Sequence, residues 1–224
     1  MIAAGQKRVA AVMRRLSAKY GTPTWTRSGP ALDVLIQTIL SQNTNDRNSG
    51  EGFRRLKAAF GGWGNVANAP WQQVADAIRV SGLANIKSRR IQAILKNLRR
   101  DYGTYSLEFL KRQSSEEARD YLLAIPGVGP KTAACVLVFS FGMPVFPVDT
   151  HIHRVAKRLG LIDDRMGAAP AHDALQKLVP EKWVYPLHML MIRHGRDTCS
   201  ARNPKCRECV LRRLCPYARR VVSK

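Results

Sequence analysis

Three features of the chain point to an all-α fold. Apolar residues recur at helical spacing through most of its length. No run of alternating β-branched residues is long enough to propose a sheet. Glycine and proline groups at Gly61-Gly62-Trp63-Gly64-Asn65, Ser81-Gly82 and Gly142-Met143-Pro144 cut the pattern into segments of helix length. With 224 residues, 45% of them hydrophobic, the chain can bury a substantial core in one or two domains.

Periodicity predicts helices at Lys7–Tyr20, Ala31–Ser41, Asn48–Phe60, Trp71–Val80 and Lys87–Tyr102. The glycine group after Phe60 ends the third of these, and Ser81-Gly82 ends the fourth. Further helices are predicted at Glu116–Ala124, Lys131–Phe141, Thr150–Leu159 and Ala171–Leu178. Pro130 suits helix entry for the seventh, and Asp149 is a natural cap for the eighth. The apolar stretch from Ala133 to Val148 is broken by Gly142, Pro144 and Pro147, too short and interrupted for a membrane span. No repeat, linker or low-complexity segment stands out.

Charge narrows the partner. Lys plus Arg total 37 against 16 acidic residues, a net +21. The excess is spread along the chain, so it describes a charged folded surface suited to a polyanion. Arg202, Lys205, Arg207, Arg212 and Arg213 form a dense basic group near the C-terminus. It suits an anionic cluster, a nucleic-acid backbone, or both.

The most informative string is Ile125-Pro126-Gly127-Val128-Gly129-Pro130-Lys131. Gly127 and Gly129 allow a tight turn with positive φ and close approach to another surface. Unpaired N–H groups at the turn and the helix start can hold a phosphate. Lys131 falls in the first turn of a nearly wholly apolar helix, where the dipole disfavours positive charge. That field and the apolar helix favour the neutral amine that a Schiff-base nucleophile needs. The competing reading is a lysine that snorkels to water or only touches phosphate. Downstream, Pro147-Val148-Asp149-Thr150-His151 supplies a carboxylate at a helix start. Asp149 reads as an N-cap, and a capping carboxylate has a second oxygen free to face a substrate. His151 and His153 receive no catalytic role.

Of five cysteines, four cluster as Cys199, Cys206, Cys209 and Cys215, spaced Cys-x6-Cys-x2-Cys-x5-Cys. Four thiolates in one short loop suit a tetrahedral zinc site or a [4Fe–4S] cluster. Disulfides are the poorer use, because nothing at the N-terminus reads as a secretion signal. Only one Cys-x2-Cys knuckle is present, where zinc sites commonly have two. Cys135 lies in the apolar helix and reads as a small core residue.

The stretch Leu122–Arg158 resembles the helix-hairpin-helix DNA glycosylases with a Gly/Pro-rich loop and a catalytic aspartate, most closely the endonuclease III family. Leu40-Ser41-Gln42-Asn43-Thr44-Asn45-Asp46 is similar to that family's Leu-Ser-x-Gln-x-x-Asp segment. Leu190-Met191-Ile192-Arg193-His194-Gly195-Arg196 is similar to the segment leading into its cluster cysteines. The resemblance covers about residues 30 to 217.

The resemblance implies a six-helix barrel domain containing the hairpin at residues 29–143. Residues 1–28 and 144–224 would form a second helical domain, with the four cysteines holding a [4Fe–4S] cluster at 199–215 and a DNA cleft between the domains. It implies a bifunctional DNA N-glycosylase and abasic-site lyase of base excision repair, acting on oxidised pyrimidines. The partner would be double-stranded DNA carrying damaged bases or abasic sites. The protein would act as a cytoplasmic, nucleoid-associated monomer without a membrane role. Lys131 and Asp149 are the implied catalytic pair, and Gly127, Val128 and Gly129 the implied backbone grip. Leu83 matches the family's wedge and Asn43 its gap-filling polar residue. Asn43 departs from the family's Gln, and neighbouring Gln42 is a second candidate for that task.

Two alternatives stand beside this one. A DNA-binding iron–sulfur protein without catalysis would need the charge and the cysteines but has no use for Lys131. A mismatch-specific glycosylase of the same superfamily would usually lack that lysine, and the adenine-specific ones place a glutamate where Thr38 stands.

Overall fold

The computed structural model describes residues 2–222, which form helices and connecting turns with no strand among them. Twelve α-helices run in order: α1 (Ile2–Tyr20), α2 (Ala31–Leu40), α3 (Asp46–Phe60), α4 (Trp63–Asn68), α5 (Trp71–Ala77), α6 (Ala84–Tyr102), α7 (Ser115–Leu123), α8 (Pro130–Val136), α9 (Thr150–Arg158), α10 (Ala168–Leu178), α11 (Val184–Asp197) and α12 (Pro216–Val222). They divide into two units, Arg27–Phe141 and the pair Met1–Thr26 with Gly142–Lys224. No helix among the described residues is long and apolar enough to cross a membrane.

In the Arg27–Phe141 unit, α2 is the central rod. Ala31, Leu32, Val34, Leu35, Ile36, Ile39 and Leu40 are all buried, so only a narrow strip faces out. It packs on α8, α3 and α6, while α4 and α5 lie against α6. Helix α7 opens with a capping box, Ser114 and Glu117 satisfying each other's end groups, and leads through a tight turn into α8. The predicted helix Lys131–Phe141 is α-helical only to Val136; Leu137–Phe141 widens into a π turn. The predicted helix Trp71–Val80 likewise stops at Ala77 and tightens into a 3-10 turn over Arg79–Ser81.

The predicted break at Gly61–Asn65 is shorter than expected, because α4 begins at Trp63. Burial of Val66 and Ala67, and a 2.9 Å bond from Trp63 Nε1 to Asp33 Oδ1, outweigh the poor helix propensity of Gly64 and Asn65.

In the other unit α1 packs on α10 and α11, and α9 packs on α10, α11 and α12. Val9, Val12, Leu16, Ile152, Val155, Leu187 and Met191 form its core. Helix α11 was not predicted from the periodicity. Its Pro186 sits in the first turn, where no helical N–H is needed, and Val184, Leu187, Leu190, Met191 and His194 carry the buried face.

Candidate functional site

The turn between α7 and α8 is built as its sequence requires. Gly127 adopts φ +83°, a left-handed conformation that favours glycine. A Cβ there would also collide with the Arg90 side chain. Val128 is buried and its N–H donates to Ile125 O at 3.0 Å, so one apolar side chain pins the turn to the core. The amides of Gly127 and Gly129 have no backbone partner among the described residues. Pro130 opens α8 and Lys131, half-buried, follows in its first turn. Behind it Thr132, Ala133, Ala134, Cys135 and Val136 are all buried.

Asp149 is the N-cap of α9: the Ile152 N–H donates to its Oδ1 at 2.7 Å. Its Oδ2 has no hydrogen-bond partner among the described residues. The carboxylate is half-buried and its approach is fixed by side chains the sequence did not single out. Gln176 accepts from the Phe146 N–H at 2.7 Å and donates to Pro144 O at 2.8 Å. His188, buried, donates through Nδ1 to Pro147 O at 3.0 Å, which fixes its tautomer.

Two loops of the Arg27–Phe141 unit carry the remaining candidates. Asn43 is exposed, with φ +54°. Leu83, N-cap of α6, also adopts a left-handed backbone, φ +51° and ψ +34°, and is 50% exposed. A leucine there is strained by roughly 1–2 kcal/mol and keeps half of its surface in water, so it is not a core residue. Gln42 is committed to the protein: its Oε1 accepts from Arg90 Nη1 at 2.9 Å and its Nε2 donates to Gly127 O at 3.4 Å. Of the two candidates in this loop, that leaves Asn43 as the one whose side chain is exposed and uncommitted.

Lys87 holds both loops. It is 2% exposed, and its ammonium donates to Leu40 O and to Ser81 O, each at 2.7 Å. Those carbonyls lie just before Gln42-Asn43 and just before Leu83. Burial, then the nearby Arg90 charge, push the Lys87 amine below its ordinary pKa. A signal for this was present: Lys87, Ile91, Ile94, Leu95 and Leu98 share one helical face, so the lysine belongs to the buried stripe.

Cys199, Cys206, Cys209 and Cys215 line one cavity, whose other walls include Val155, Leu159, Leu211 and Ala218. Among the described residues no three His, Cys, Asp or Glu groups are placed to share a single metal ion. Burial pushes the thiols of Cys206, Cys209 and Cys215 up, and charge on the neighbouring cysteines adds to the shift in each. Donors point at the sulfurs. Arg158 Nη1 lies 3.2 Å from Cys199 Sγ, and the amides of Leu211 and Ala218 donate to Cys209 and Cys215 at 3.4 Å each. His194 Nε2 is 3.6 Å from Cys209 Sγ. Burial, then the Lys19 charge, lower the His194 pKa to about 4, so its ring is neutral.

Arg158 also holds the loop itself, donating to Ser200 O at 2.7 Å and Ala201 O at 3.0 Å while its guanidinium lies over the Tyr217 ring. Arg202, Lys205, Arg207, Arg212 and Arg213 are all exposed around it. Cys135, by contrast, is buried in α8 within the other unit.

Residues 36–181 match the family model described as HhH-GPD superfamily base excision DNA repair protein. A putative DNA glycosylase of Arabidopsis thaliana is 38% identical over 178 residues, covering 80% of this chain and 61% of that protein. The chain thus spans less than two thirds of this relative's length. Endonuclease III of Thermotoga maritima is 36% identical over 187 residues, covering 84% and 83% of the two chains. Among solved structures, a non-covalent endonuclease III–DNA complex superposes with a TM-score of 0.84 at 27% identity, covering 98% of this chain and 99% of that one. A thermostable thymine-DNA glycosylase, TM-score 0.79 at 21% identity, shares the fold. The hairpin turn, the capped aspartate and the four-cysteine loop thus sit in a chain that belongs to the endonuclease III family of the HhH-GPD superfamily of base excision DNA repair proteins.

Proposed function

We propose that this DNA glycosylase is bifunctional, removing damaged pyrimidines from duplex DNA and then cutting the strand at the resulting abasic site. The observation that carries the proposal is Lys131, an amine in the first turn of a buried helix directly after a glycine turn whose Gly127 and Gly129 amides have no backbone partner among the described residues. A glycosylase that only activates water has no use for a lysine at that point.

Bases inside a duplex hide their glycosidic bonds, so the target nucleotide must be extruded, which costs a few kcal/mol. Asn43 and Leu83, both exposed and held in left-handed backbone, are assigned to the gap it leaves. Gly127, Val128 and Gly129 are assigned to the adjoining phosphates. The Lys131 amine bonds to C1′ while the C1′–N bond to the base breaks and the base leaves with the electron pair. Asp149 Oδ2 offsets the positive charge that builds on the sugar and takes up the proton from the new C–N bond. As the C1′–O4′ bond breaks, O4′ keeps the electron pair and takes that proton back from Asp149, leaving an imine that acidifies a C2′ hydrogen. Removing that proton expels the 3′ phosphate by β-elimination, and hydrolysis of the imine frees the lysine.

The donor set of Cys199, Cys206, Cys209 and Cys215 fits a [4Fe–4S] cluster. Each iron of a cubane takes one thiolate, so four sulfurs around a common cavity need not meet at one point. The amides of Leu211 and Ala218, and Arg158, would stabilise thiolate charge there. The cluster is structural in this reading and sets the shape of the basic loop.

Borohydride reduction on a duplex with one abasic site tests the assignment. A covalent adduct with the native protein, absent with Lys131→Ala, is expected. Equal adduct from both proteins would overturn it.

A further inference from the structure

We propose that Arg90 is a positioning residue that couples the hairpin turn to the Asn43 loop and thereby sets discrimination between bases opposite the lesion. The inference rests on the reading of these two loops as DNA contacts. Arg90, Gln42 and Gly127 form a closed triangle. The Arg90 guanidinium donates to Gln42 Oε1 at 2.9 Å, and Gln42 Nε2 donates to Gly127 O at 3.4 Å. The third side is packing: the Arg90 side chain occupies the space that a Cβ on Gly127 would fill. The amide of Gln42 has only this orientation available, because reversing it would set its NH2 against a cation.

The triangle joins two places that the chemistry needs in register. Gly127 belongs to the turn assigned to the phosphates beside the extruded nucleotide. Gln42 immediately precedes Asn43, which is exposed and adopts φ +54°. The position of Asn43 therefore depends on its neighbour, and that neighbour is tied to the turn through Arg90. Arg90 stands one turn along α6 from Lys87, which fixes the backbone just before each probing loop. The lysine anchors the loops to the scaffold, and the arginine sets the side chain between them. Asn is also one methylene shorter than Gln, so small displacements of this loop change which opposite base it reaches.

The test compares excision of one oxidised pyrimidine placed opposite each of the four bases, for the native protein, Arg90→Met, Gln42→Leu and the double variant. The ratio between the best and worst opposite base is expected to shrink about tenfold in each single variant, the scale on which one charge-assisted hydrogen bond acts. The double variant should lose no more, since the two residues act as one unit. Arg90→Lys, which keeps a donor, should recover part of the ratio. A residue needed only for stability would slow all four substrates alike and leave the ratio intact, and that outcome overturns the proposal. So do additive losses in the double variant, or a native protein without opposite-base preference. If Arg90→Met does not fold, Gln42→Leu decides alone, and a retained ratio there overturns the proposal. Borohydride trapping on single-stranded abasic DNA keeps the two levels apart. A native protein that neither excises nor traps refutes the enzymatic reading itself, whereas a native protein that does both, with an unchanged ratio in the variants, refutes only the role of Arg90.

Discussion

Replacing Lys87 by Met isolates the buried ammonium while keeping most of its stem. The side chain is 2% exposed and makes two 2.7 Å bonds, to Leu40 O and Ser81 O. Met fills a similar volume, so the transfer and cavity changes are small. What is lost is the partner of two buried carbonyls, at about 1–3 kcal/mol each, offset in part because an ammonium no longer has to be desolvated. A net destabilisation of about 3 kcal/mol is expected, lowering Tm by roughly 6–12 °C for a chain of this size. Urea unfolding followed by far-ultraviolet circular dichroism gives the free energy directly.

The pH dependence has a definite sign. Burial lowers the folded-state pKa of Lys87, while the unfolded chain titrates near 10.5. Between these values the unfolded state binds more protons, so this group makes the native protein more stable as pH rises. The Met variant lacks that contribution, and its deficit should widen from pH 7 toward pH 10. A variant within about 0.5 kcal/mol of the native protein at pH 7, or a deficit that narrows with pH, would refute the account, since surface substitutions have effects of that size.

Other outcomes follow from the same geometry. Asp149→Asn keeps a good N-cap for α9, so Tm should stay within about 2 °C, while base excision falls by about 10²-fold or more. Single-turnover kinetics beside a melting curve check both halves. Leu83→Gly relieves a left-handed leucine but loosens the unfolded chain, so stability should change by less than about 1 kcal/mol, and duplex excision should drop at least tenfold. Cys209→Ser should lose bound iron, visible absorbance and thermal stability together, measured by metal analysis and spectroscopy on the purified protein. Full iron content in that variant would contradict the ligand assignment.

The parts of the site that were legible in the sequence are those where chemistry and backbone geometry coincide in a short string. Gly127 through Lys131 specifies its own turn and helix start, and Asp149 specifies its cap, because these are contacts between near neighbours. The four cysteines were grouped by their spacing, and the structure places all four around one cavity. Lys87, Arg90, Gln176 and His188 were not legible in this way, although each fixes a segment next to a candidate residue of its own unit. Their partners are distant in sequence, Leu40 for Lys87 and Pro147 for His188, so no local pattern encodes the pairing. Lys87 left one trace, its place on the apolar stripe of α6. Helix α11 was missed for a different reason: Pro186 and two histidines obscure an apolar face that tertiary packing makes plain. Leu83 shows the converse, since its hydrophobicity alone fits a core residue equally well. Only its exposed, left-handed placement separates the two.

The chain-reversed make-up of one unit bears on biogenesis. Arg27–Phe141 is a single continuous stretch, complete as soon as it leaves the ribosome. Helix α1, synthesised earlier, belongs with what comes last: Arg8 donates to Leu159 O and Arg15 to Val210 O, both far downstream. It must therefore wait, apolar face uncovered, until α10, α11 and the segments around Leu159 and Val210 have been made, and closing so large a loop is slow. A nascent chain halted after Phe141 should thus contain a protease-resistant middle and a cleavable leading helix.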